Sequence, residues 1–193
     1  MYDKFAAKVW STPLLCLFIL SNQRRLVLAD VEKWSSSGEK QYQNLWFLLS
    51  VKHFRNLFYH RINKGNFAKL LVPIFRLLYK PMESLFIDNS CSIGSGCYIQ
   101  HGVGSVIIGD LGDNCWINQQ VTIGHKNKNG RPLIGNNCFI FSGAKVIGNI
   151  KIGNNVTVGA NAVVVKNVPS NCTVVGVPAY IVKQNGKRTK KKL

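Results

Sequence analysis

Residues 134–168 read IGNNCF IFSGAK VIGNIK IGNNVT VGANAV VVKNV when they are divided into sixes, and each group begins with Ile or Val. A count in sixes also runs from Ile87 to Ile123 and, after an interruption, continues to Val164. Twelve of these thirteen positions are Ile, Leu or Val, and the exception is Ser105. A helix of 3.6 residues per turn would scatter a six-residue repeat around its circumference, so the repeat excludes a helix.

Each group of six predicts a short strand followed by a corner. Six of the thirteen positions are followed directly by Gly, with Asn, Asp or Gly usually close behind, and these residues adopt positive φ at little cost. One such group cannot bury its own apolar face, so successive groups must stack. A second inward-pointing position is predicted four places after each anchor, where most residues are small or β-branched: Cys91, Cys97, Val103, Gly109, Cys115, Val121, Cys138, Ala144, Ile150, Val156, Ala162 and Val168.

The repeat resembles that of the hexapeptide-repeat acyltransferases. The helical segment before it, which contains FRNLFYHR at residues 54–61, resembles the N-terminal section of serine acetyltransferases and of their relatives in polysaccharide gene clusters. The resemblance implies a mostly β fold, a left-handed parallel β-helix with three hexapeptide repeats per coil, preceded by a small α-helical cap. It also implies a homotrimer or a dimer of trimers.

Four segments are expected along the chain: an N-terminal extension without an assigned role, an α-helical cap, the β-helix domain with an extruded loop at 125–131, and a basic C-terminal tail. Within the cap we predict helices at 26–34, 45–63 and 67–80, the last of them bent or broken at Pro73. The four segments span residues 1–25, 26–85, 86–182 and 183–193.

The net charge of +17 favours an anionic partner, such as nucleic acid, an acidic membrane surface or a phosphorylated ligand like coenzyme A. Residues 183–193 hold six of the basic residues and are expected to form a disordered, solvated tail. The cap helices combine aromatic and basic side chains, which is typical of an interfacial membrane helix, although packing on the β-helix or on another subunit explains the same composition.

The longest apolar stretch, residues 13–20, is shorter than the roughly 18–20 residues of a membrane span, and no signal-peptide cleavage site follows it. We therefore expect an unsecreted, cytoplasmic protein, with peripheral contact at the inner membrane face left open.

The six cysteines form no Cys-x-x-Cys pair, and four of them occupy inward-pointing positions, so we expect buried, reduced thiols. Cys97 and Cys115 are 18 residues apart and should lie one above the other in a coil of three repeats. His53 and His60 lie seven residues apart on one predicted helix, but no carboxylate or Cys completes a ligand set, so no metal site is predicted.

The six-residue register breaks once, because Ile134 lies eleven positions after Ile123. The segment HKNKNGR at 125–131 must therefore leave the coil as a loop, and a polar insertion on a regular scaffold is a common place for a functional site. The resemblance implies that this loop reaches the neighbouring subunit and helps to form the active site.

His101, in the sequence IQHGVG, is the only histidine within the regular coils. It resembles the catalytic histidine of serine acetyltransferases and of colanic-acid-type acetyltransferases. Acetyl transfer from a thioester to a hydroxyl needs a base that works near neutral pH, and imidazole is the side chain that does so unaided. Backbone N–H groups at Gly-rich corners can stabilise the oxyanion. The resemblance therefore implies that His101 is the general base.

The chain departs from the family pattern at the group that orients this base. The family has a carboxylate fifteen residues upstream of the histidine, and this chain has Phe86 there. Asp88 lies two residues further on, on the same side of an extended strand, and is the predicted catalytic partner. A backbone carbonyl, or Gln119 one coil above His101, is the alternative.

A second departure lies in the loop. Serine acetyltransferases carry Arg-His-Pro there, with the basic pair binding the amino-acid carboxylate, whereas this chain reads Gly-Arg-Pro at 130–132. Arg131 therefore takes the place of the histidine. Arg131, Gln119 and His125, an additional loop histidine, are the predicted substrate-binding residues, and an incidental surface role for His125 stays open.

Acetyl-CoA is the expected co-substrate, in a groove between the C-terminal coils of adjacent subunits. The segments at 142–168 and 174–179, the latter reading VVGVPA, are similar to those coils of the family. Small residues let the backbone approach the pantetheine, and lysines, with the C-terminal tail, meet the phosphates. The predicted cofactor-binding residues are Gly143, Ala144, Gly159, Ala160, Lys166 and Lys183.

These features favour an acetyl-CoA-dependent O-acetyltransferase. A sugar hydroxyl presents no carboxylate, so the two departures favour a carbohydrate of surface-polysaccharide synthesis as acceptor. The alternative is serine O-acetylation, the first step of cysteine synthesis from serine.

Two other functional classes fit the sequence less well. A metal-dependent β-helix of the carbonic-anhydrase type needs three converging histidines, and the repeat region has only His101 and His125. A non-catalytic scaffold or nucleic-acid-binding surface would need no extruded loop, and the coils lack an aromatic and basic stacking surface. No metal and no specific nucleic-acid partner are therefore predicted.

Overall fold

The computed structural model describes residues 9–35, 41–127 and 130–193. The chain divides between Glu83 and Ser84 into two compact units, one helical and one built of short strands. Three segments lie outside the described residues: residues 1–8 of the expected N-terminal extension, residues 36–40, and residues 128–129 of the expected loop.

The helical unit includes two helices where one was predicted over 45–63. The chain turns after the first of them because the N–H groups of Ser50 and Val51 donate to carbonyls three residues back, on Phe47 and Leu48. The predicted break near Pro73 is confirmed, since a 3₁₀ helix gives way to an α-helix that has this proline in its first turn. The elements are α1 (Leu14–Leu20), α2 (Arg24–Trp34), α3 (Gln41–Leu48), α4 (Lys52–Asn63), the 3₁₀ helix (Phe67–Leu71) and α5 (Val72–Leu78).

Most of the side chains of α4 belong to the core of this unit. Its aromatic residues are buried and pack against α1, α2 and α3. One of its two buried arginines is ion-paired: the Arg61 guanidinium donates to both carboxylate oxygens of Asp30, at 2.8 and 3.0 Å. Packing, and not contact with lipid, therefore explains the aromatic residues of α4: Phe54, Phe58 and Tyr59.

The two histidines of α4 also have packing roles. The His53 ring lies 5.3 Å from that of Trp34, measured between centroids, and His60 is buried. Among the described residues no three His, Cys, Asp or Glu side chains are grouped so that they could hold a metal. No helix within the described ranges combines the length and apolar character needed to cross a bilayer.

The second unit is a parallel β-helix with three sides. The first sheet contains β1, β3, β6, β9 and β12 in order, the second contains β4, β7 and β10, and the third contains β2, β5, β8, β11 and β13, followed by β14 and β15. The strands are β1 (Leu85–Ile87), β2 (Tyr98–Ile99), β3 (Ser105–Ile107), β4 (Asp110–Leu111), β5 (Trp116–Ile117), β6 (Thr122–Gly124), β7 (Leu133–Ile134), β8 (Phe139–Ile140), β9 (Lys145–Ile147), β10 (Lys151–Ile152), β11 (Thr157–Val158), β12 (Val163–Val164), β13 (Cys172–Val175), β14 (Tyr180–Gln184) and β15 (Lys187–Lys192).

The anchor positions of the repeat point inward and are nearly all buried, as predicted. On the first sheet, however, the anchor of the second coil is Ile107 and not Ser105. Ile87 pairs with Ile107, and Ile107 pairs with Ile123. The one polar residue among the thirteen predicted anchors thus marks a local shift in register.

Compared with a regular repeat, the segment before Ile107 is two residues longer and the segment after it is two residues shorter. Ile107 lies eight positions after Ile99, and Leu111 lies four positions after Ile107. The corner at 100–104 is consequently wider than the others, and Val103, predicted to point inward, is 49% exposed. Leu111 still lies twelve positions after Ile99, as in two regular repeats. Counting the sequence in steps of six therefore does not reveal the change in register at Ile107.

The expectation of a disordered C-terminal tail is wrong. β14 and β15 form an antiparallel hairpin at the edge of the third sheet. Asn185 and Gly186 have φ of 48° and 81°, as in a type I′ turn, and Gln184 pairs with Lys187 across them. The residues of β15 are all exposed, so its basic side chains still face solvent.

The cysteines of the repeat are buried, as predicted, while Cys16 of the helical unit is exposed. The Cys115 thiol donates to the carbonyl of Gly135 at 3.2 Å, and the Cys138 thiol donates to that of Gly153 at 3.1 Å. These buried thiols are part of the packing along the coil axis.

Candidate active site

His101 lies at the corner where the chain passes from the third sheet to the first. Its φ is 64°, and the N–H of Gly102 donates across it to the carbonyl of Gln100 at 2.8 Å, which forms a tight three-residue turn. The side chain is exposed. Among the described non-glycine residues with positive φ, six are Asn and the other two are His101 and Gln120. An uncommon backbone conformation thus presents an imidazole to solvent.

The corners between the third and first sheets stack into one edge, which we call the histidine corner: residues 100–104, 118–121, 141–144 and 159–162. Hydrogen bonds join its successive levels, from Gln120 N–H to Val103 O at 2.8 Å, Gly143 N–H to Gln119 O at 3.1 Å, and Asn161 N–H to Ser142 O at 2.9 Å. The structure therefore brings the predicted residues His101, Gln119, Gly143, Gly159 and Ala160 to one edge.

The small residues of this edge differ in what they offer a ligand. Ala144, one of the predicted cofactor-binding residues, is wholly buried, and its N–H donates to Phe141 while its carbonyl accepts from Thr122, so within one chain it presents no exposed side chain to a ligand. Gly143 has a φ of 73°, and an added Cβ would collide with the Asn161 side chain, so coil geometry alone requires glycine there. Ala160 is exposed and is the small side chain that a ligand can approach.

A second edge, the loop corner, lies where the chain passes from the first sheet to the second: residues 88–91, 108–110, 125–127, 130–132 and 148–150. The extruded loop begins and ends here. Its neck is closed by His125, whose Nδ1 donates to the carbonyl of Gly130 at 2.8 Å. His125 therefore shapes the loop.

Arg131 fixes the end of the loop to the coils before it. Its Nε donates to Asp110 Oδ2 at 3.1 Å, and Nη2 lies 2.8 Å from Asp110 Oδ1. Its Nη1 donates to the Ser90 hydroxyl at 2.7 Å, and Nη2 also donates to the Ser90 carbonyl at 3.2 Å. Every nitrogen of the guanidinium thus has a partner within the chain, which makes Arg131 a positioning residue for the loop.

Asp88 belongs to this same corner. Its carboxylate accepts from the Ser90 N–H at 2.7 Å and from the Ser90 hydroxyl at 2.5 Å. These hydrogen bonds, with the nearby charges of Arg131 and His125, lower the pKa of the Asp88 carboxyl. Its own N–H donates to Ile107 O, which places it beside the end of β3.

His101, in contrast, precedes the beginning of β3. Contrary to expectation, the structure does not bring Asp88 to His101 within one chain. The predicted site residues occupy two edges, at opposite ends of the strands of the first sheet.

The predicted phosphate-binding lysines lie near the C-terminal hairpin. A groove of about 560 Å³ has Lys166 on its wall, and the Lys166 ammonium donates to the carbonyl of Leu193 at 2.8 Å. Lys183 is exposed on β14, opposite Arg188, and does not line this groove. The groove is lined by Val165, Lys166, Pro178, Ala179, Tyr180 and residues 190–193.

The sequence did not predict two sets of hydrogen bonds that hold the site in place. Ser90 and Asp110 hold the loop through Arg131, and only their position beside the insertion could have suggested this. Trp116 Nε1 donates to the Gln100 side chain at 3.2 Å and to that of Asn118 at 2.7 Å, which holds the residue that precedes His101. No short motif signals that contact.

A parallel β-helix with an exposed histidine on a widened corner and a loop on another corner defines a class, the hexapeptide-repeat transferases. The family model described as bacterial transferase hexapeptide (six repeats) matches residues 131–166. The serine acetyltransferase of Synechococcus elongatus is 39% identical over 73% of this chain and 61% of its own length.

Solved structures agree with this class. The serine acetyltransferase of Neisseria gonorrhoeae superposes with a TM-score of 0.67 at 30% identity, over 86% of this chain and 70% of that one. The Brucella abortus serine acetyltransferase in complex with coenzyme A superposes with a TM-score of 0.67 at 25% identity, over 86% of this chain and 69% of that one.

The chain belongs to the serine acetyltransferase-like family of hexapeptide-repeat acyltransferases, and its β-helix is left-handed, as the resemblance implied. It spans 61% of the length of the curated Synechococcus relative.

Proposed function

We propose that the protein is an acetyl-CoA-dependent O-acetyltransferase. The observation that carries this proposal is the placement of His101, exposed on a widened corner, on the same edge as the small residue Ala160 and within a fold shared with a coenzyme A complex.

In the proposed mechanism, His101 takes the proton of the acceptor hydroxyl while that oxygen attacks the thioester carbonyl carbon. The oxyanion accepts hydrogen bonds from backbone N–H groups at the Gly-rich corners. The tetrahedral intermediate then breaks its carbon–sulfur bond, and the departing thiolate takes the proton from the imidazolium. The products are an acetyl ester and coenzyme A.

We further propose that each site is shared between two copies in a trimer. His101 and the loop corner lie at opposite ends of the first sheet, so a site that uses both needs a second copy. Co-expression of His101→Asn with Arg131→Ala tests this, because a mixed trimer regains sites with both groups intact. Recovery approaching about one quarter of wild-type turnover is expected. Activity no higher than the sum of the two separate variants would show that each chain works alone.

L-Serine is the first candidate acceptor. The relatives that match are named serine acetyltransferases, which favours serine over the polysaccharide expected from the sequence. A carbohydrate hydroxyl is the second candidate, and two observations favour it. Phe86, at the place of the family's orienting carboxylate, is 51% exposed, and Arg131 is already bound to Asp110 and Ser90.

The test is acetyl-CoA consumption by the purified protein with L-serine and, separately, with nucleotide sugars and glycans. Efficient O-acetylserine formation supports the first candidate. Transfer only to a sugar, detected as an added acetyl group by mass spectrometry, supports the second. Wild-type protein that consumes no acetyl-CoA with any hydroxyl acceptor would contradict the proposed function.

A further inference from the structure

The 3₁₀ helix and α5 carry an exposed apolar ridge. Its side chains recur at spacings of three and four residues, so they lie on one face over roughly 20 Å. Ala68 and Val72, between them, are buried in the unit's core. The exposed fractions of the ridge are 59% for Phe67, 71% for Leu70, 58% for Ile74, 73% for Leu77 and 65% for Leu78.

The end of α1 extends the ridge. The Asn66 side chain donates to the carbonyl of Leu20 at 3.0 Å, and the Asn66 N–H donates to the side chain of Asn22 at 3.1 Å. These bonds hold Ile19, 62% exposed, and Leu20, 39% exposed, near the start of the 3₁₀ helix. An apolar surface of this extent is unusual on a soluble face and marks a contact site.

Within the two stretches that build the ridge, every charged side chain is basic. The two stretches that build it, residues 9–29 and 64–82, contain no Asp or Glu. Exposed basic residues flank the apolar side chains in both stretches: Arg24, Arg25, Lys64, Lys69, Arg76 and Lys80.

This charge pattern favours an anionic membrane over a second copy of the chain as the partner of the ridge. A second copy that met the ridge with its own ridge across a two-fold axis would place these cations against each other, with no carboxylate in either stretch to offset them. An anionic bilayer offers both an apolar layer for the leucines and negative headgroups for the flanking lysines and arginines. We infer that the ridge docks the helical unit on an anionic membrane surface, with the 3₁₀ helix and α5 lying in the interface.

The full-length protein is tested by co-sedimentation with vesicles of phosphatidylglycerol and phosphatidylcholine, and with vesicles of phosphatidylcholine alone. Binding is expected to the anionic vesicles. Leu70→Gln combined with Leu77→Gln is expected to lower the partition coefficient at least about tenfold, since two exposed leucines no longer bury apolar surface. The matched control, Val177→Gln, changes a residue of the other unit that is 72% exposed and should leave binding unchanged.

Three results would overturn the inference. The first is a failure of the wild-type protein to bind anionic vesicles at low salt. The second is binding that persists in the leucine double variant and is lost when Lys187, Lys190 and Lys192 become Gln, because the hairpin would then make the contact by charge alone. The third is a drop in oligomer mass of the leucine double variant in light scattering, which would show that another copy covers the ridge. All changed positions are exposed, so folding is not at risk.

Discussion

Replacing His101 by Asn separates the chemistry of the imidazole from the conformation of its corner. Six Asn residues of this chain already adopt φ between 48° and 59°, close to the 64° of His101. The side chain is exposed, so no burial is lost, and we expect the free energy of unfolding to change by no more than about 0.5 kcal/mol. Alanine would be a poorer choice, because the left-handed conformation costs an ordinary L-residue roughly 1–2 kcal/mol, whereas the short polar side chain of Asn can hydrogen-bond locally and reduce that cost.

Turnover of the His101→Asn protein should fall by about 10²–10⁴, the usual contribution of a positioned general base, which corresponds to roughly 2.7–5.5 kcal/mol in activation free energy. The assay is loss of thioester absorbance with acetyl-CoA and the best acceptor found, with thermal unfolding measured in parallel. Gln120→Asn is the matched control, since Gln120 has a φ of 59° one coil above on the same edge, and it should keep its activity. Wild-type turnover in a folded His101→Asn protein would refute the assignment of His101 as the base.

Three further predictions concern the supports of the fold and site. Arg131→Gln should change stability by about 1 kcal/mol or less, because its ion pair is partly exposed, yet it should speed limited proteolysis within the loop and lower turnover. Asp30→Asn leaves a buried guanidinium without its carboxylate and should cost about 3–5 kcal/mol in denaturant unfolding; a loss below 1 kcal/mol would contradict this. The lowered pKa of Asp88 means that its carboxylate stabilises the folded state above its ordinary value near 4 and that this contribution is lost as the pH falls through the lowered value. The stability difference between wild type and Asp88→Asn should therefore be constant from about pH 7 to 5 and shrink below about pH 4.

Period and residue type were enough to predict the β-helix. An apolar residue every six places, with Gly or Asn after it, permits little other than stacked short strands, and the registers confirm this for all three sheets. The widened corner at His101 was not predicted, because the two extra residues before Ile107 are offset by two fewer after it. The number of positions from Ile99 to Leu111 therefore stays the same as in a regular repeat. The only sign of this change of register in the sequence is Ser105, the one polar residue among the thirteen predicted anchors.

Two predictions made from composition and spacing were wrong: the disordered C-terminal tail and the placement of Asp88 beside His101. Basic composition predicted solvation of residues 183–193, but the Asn185-Gly186 pair directs the chain into a hairpin. Asp88 was assigned to His101 from strand alternation alone. Strand alternation gives the side of a sheet on which a residue lies, but not which end of the strand carries it, and the two residues lie at opposite ends.

Mass spectrometry of the acceptor after incubation with purified protein and acetyl-CoA tests whether the protein is an O-acetyltransferase that uses His101 as its base. We expect L-serine, or failing it a carbohydrate, to gain one acetyl group on oxygen for each coenzyme A released, and we expect the His101→Asn protein to form little of this product. Release of coenzyme A without an acetylated acceptor, or equal product from the His101→Asn protein, would contradict this expectation.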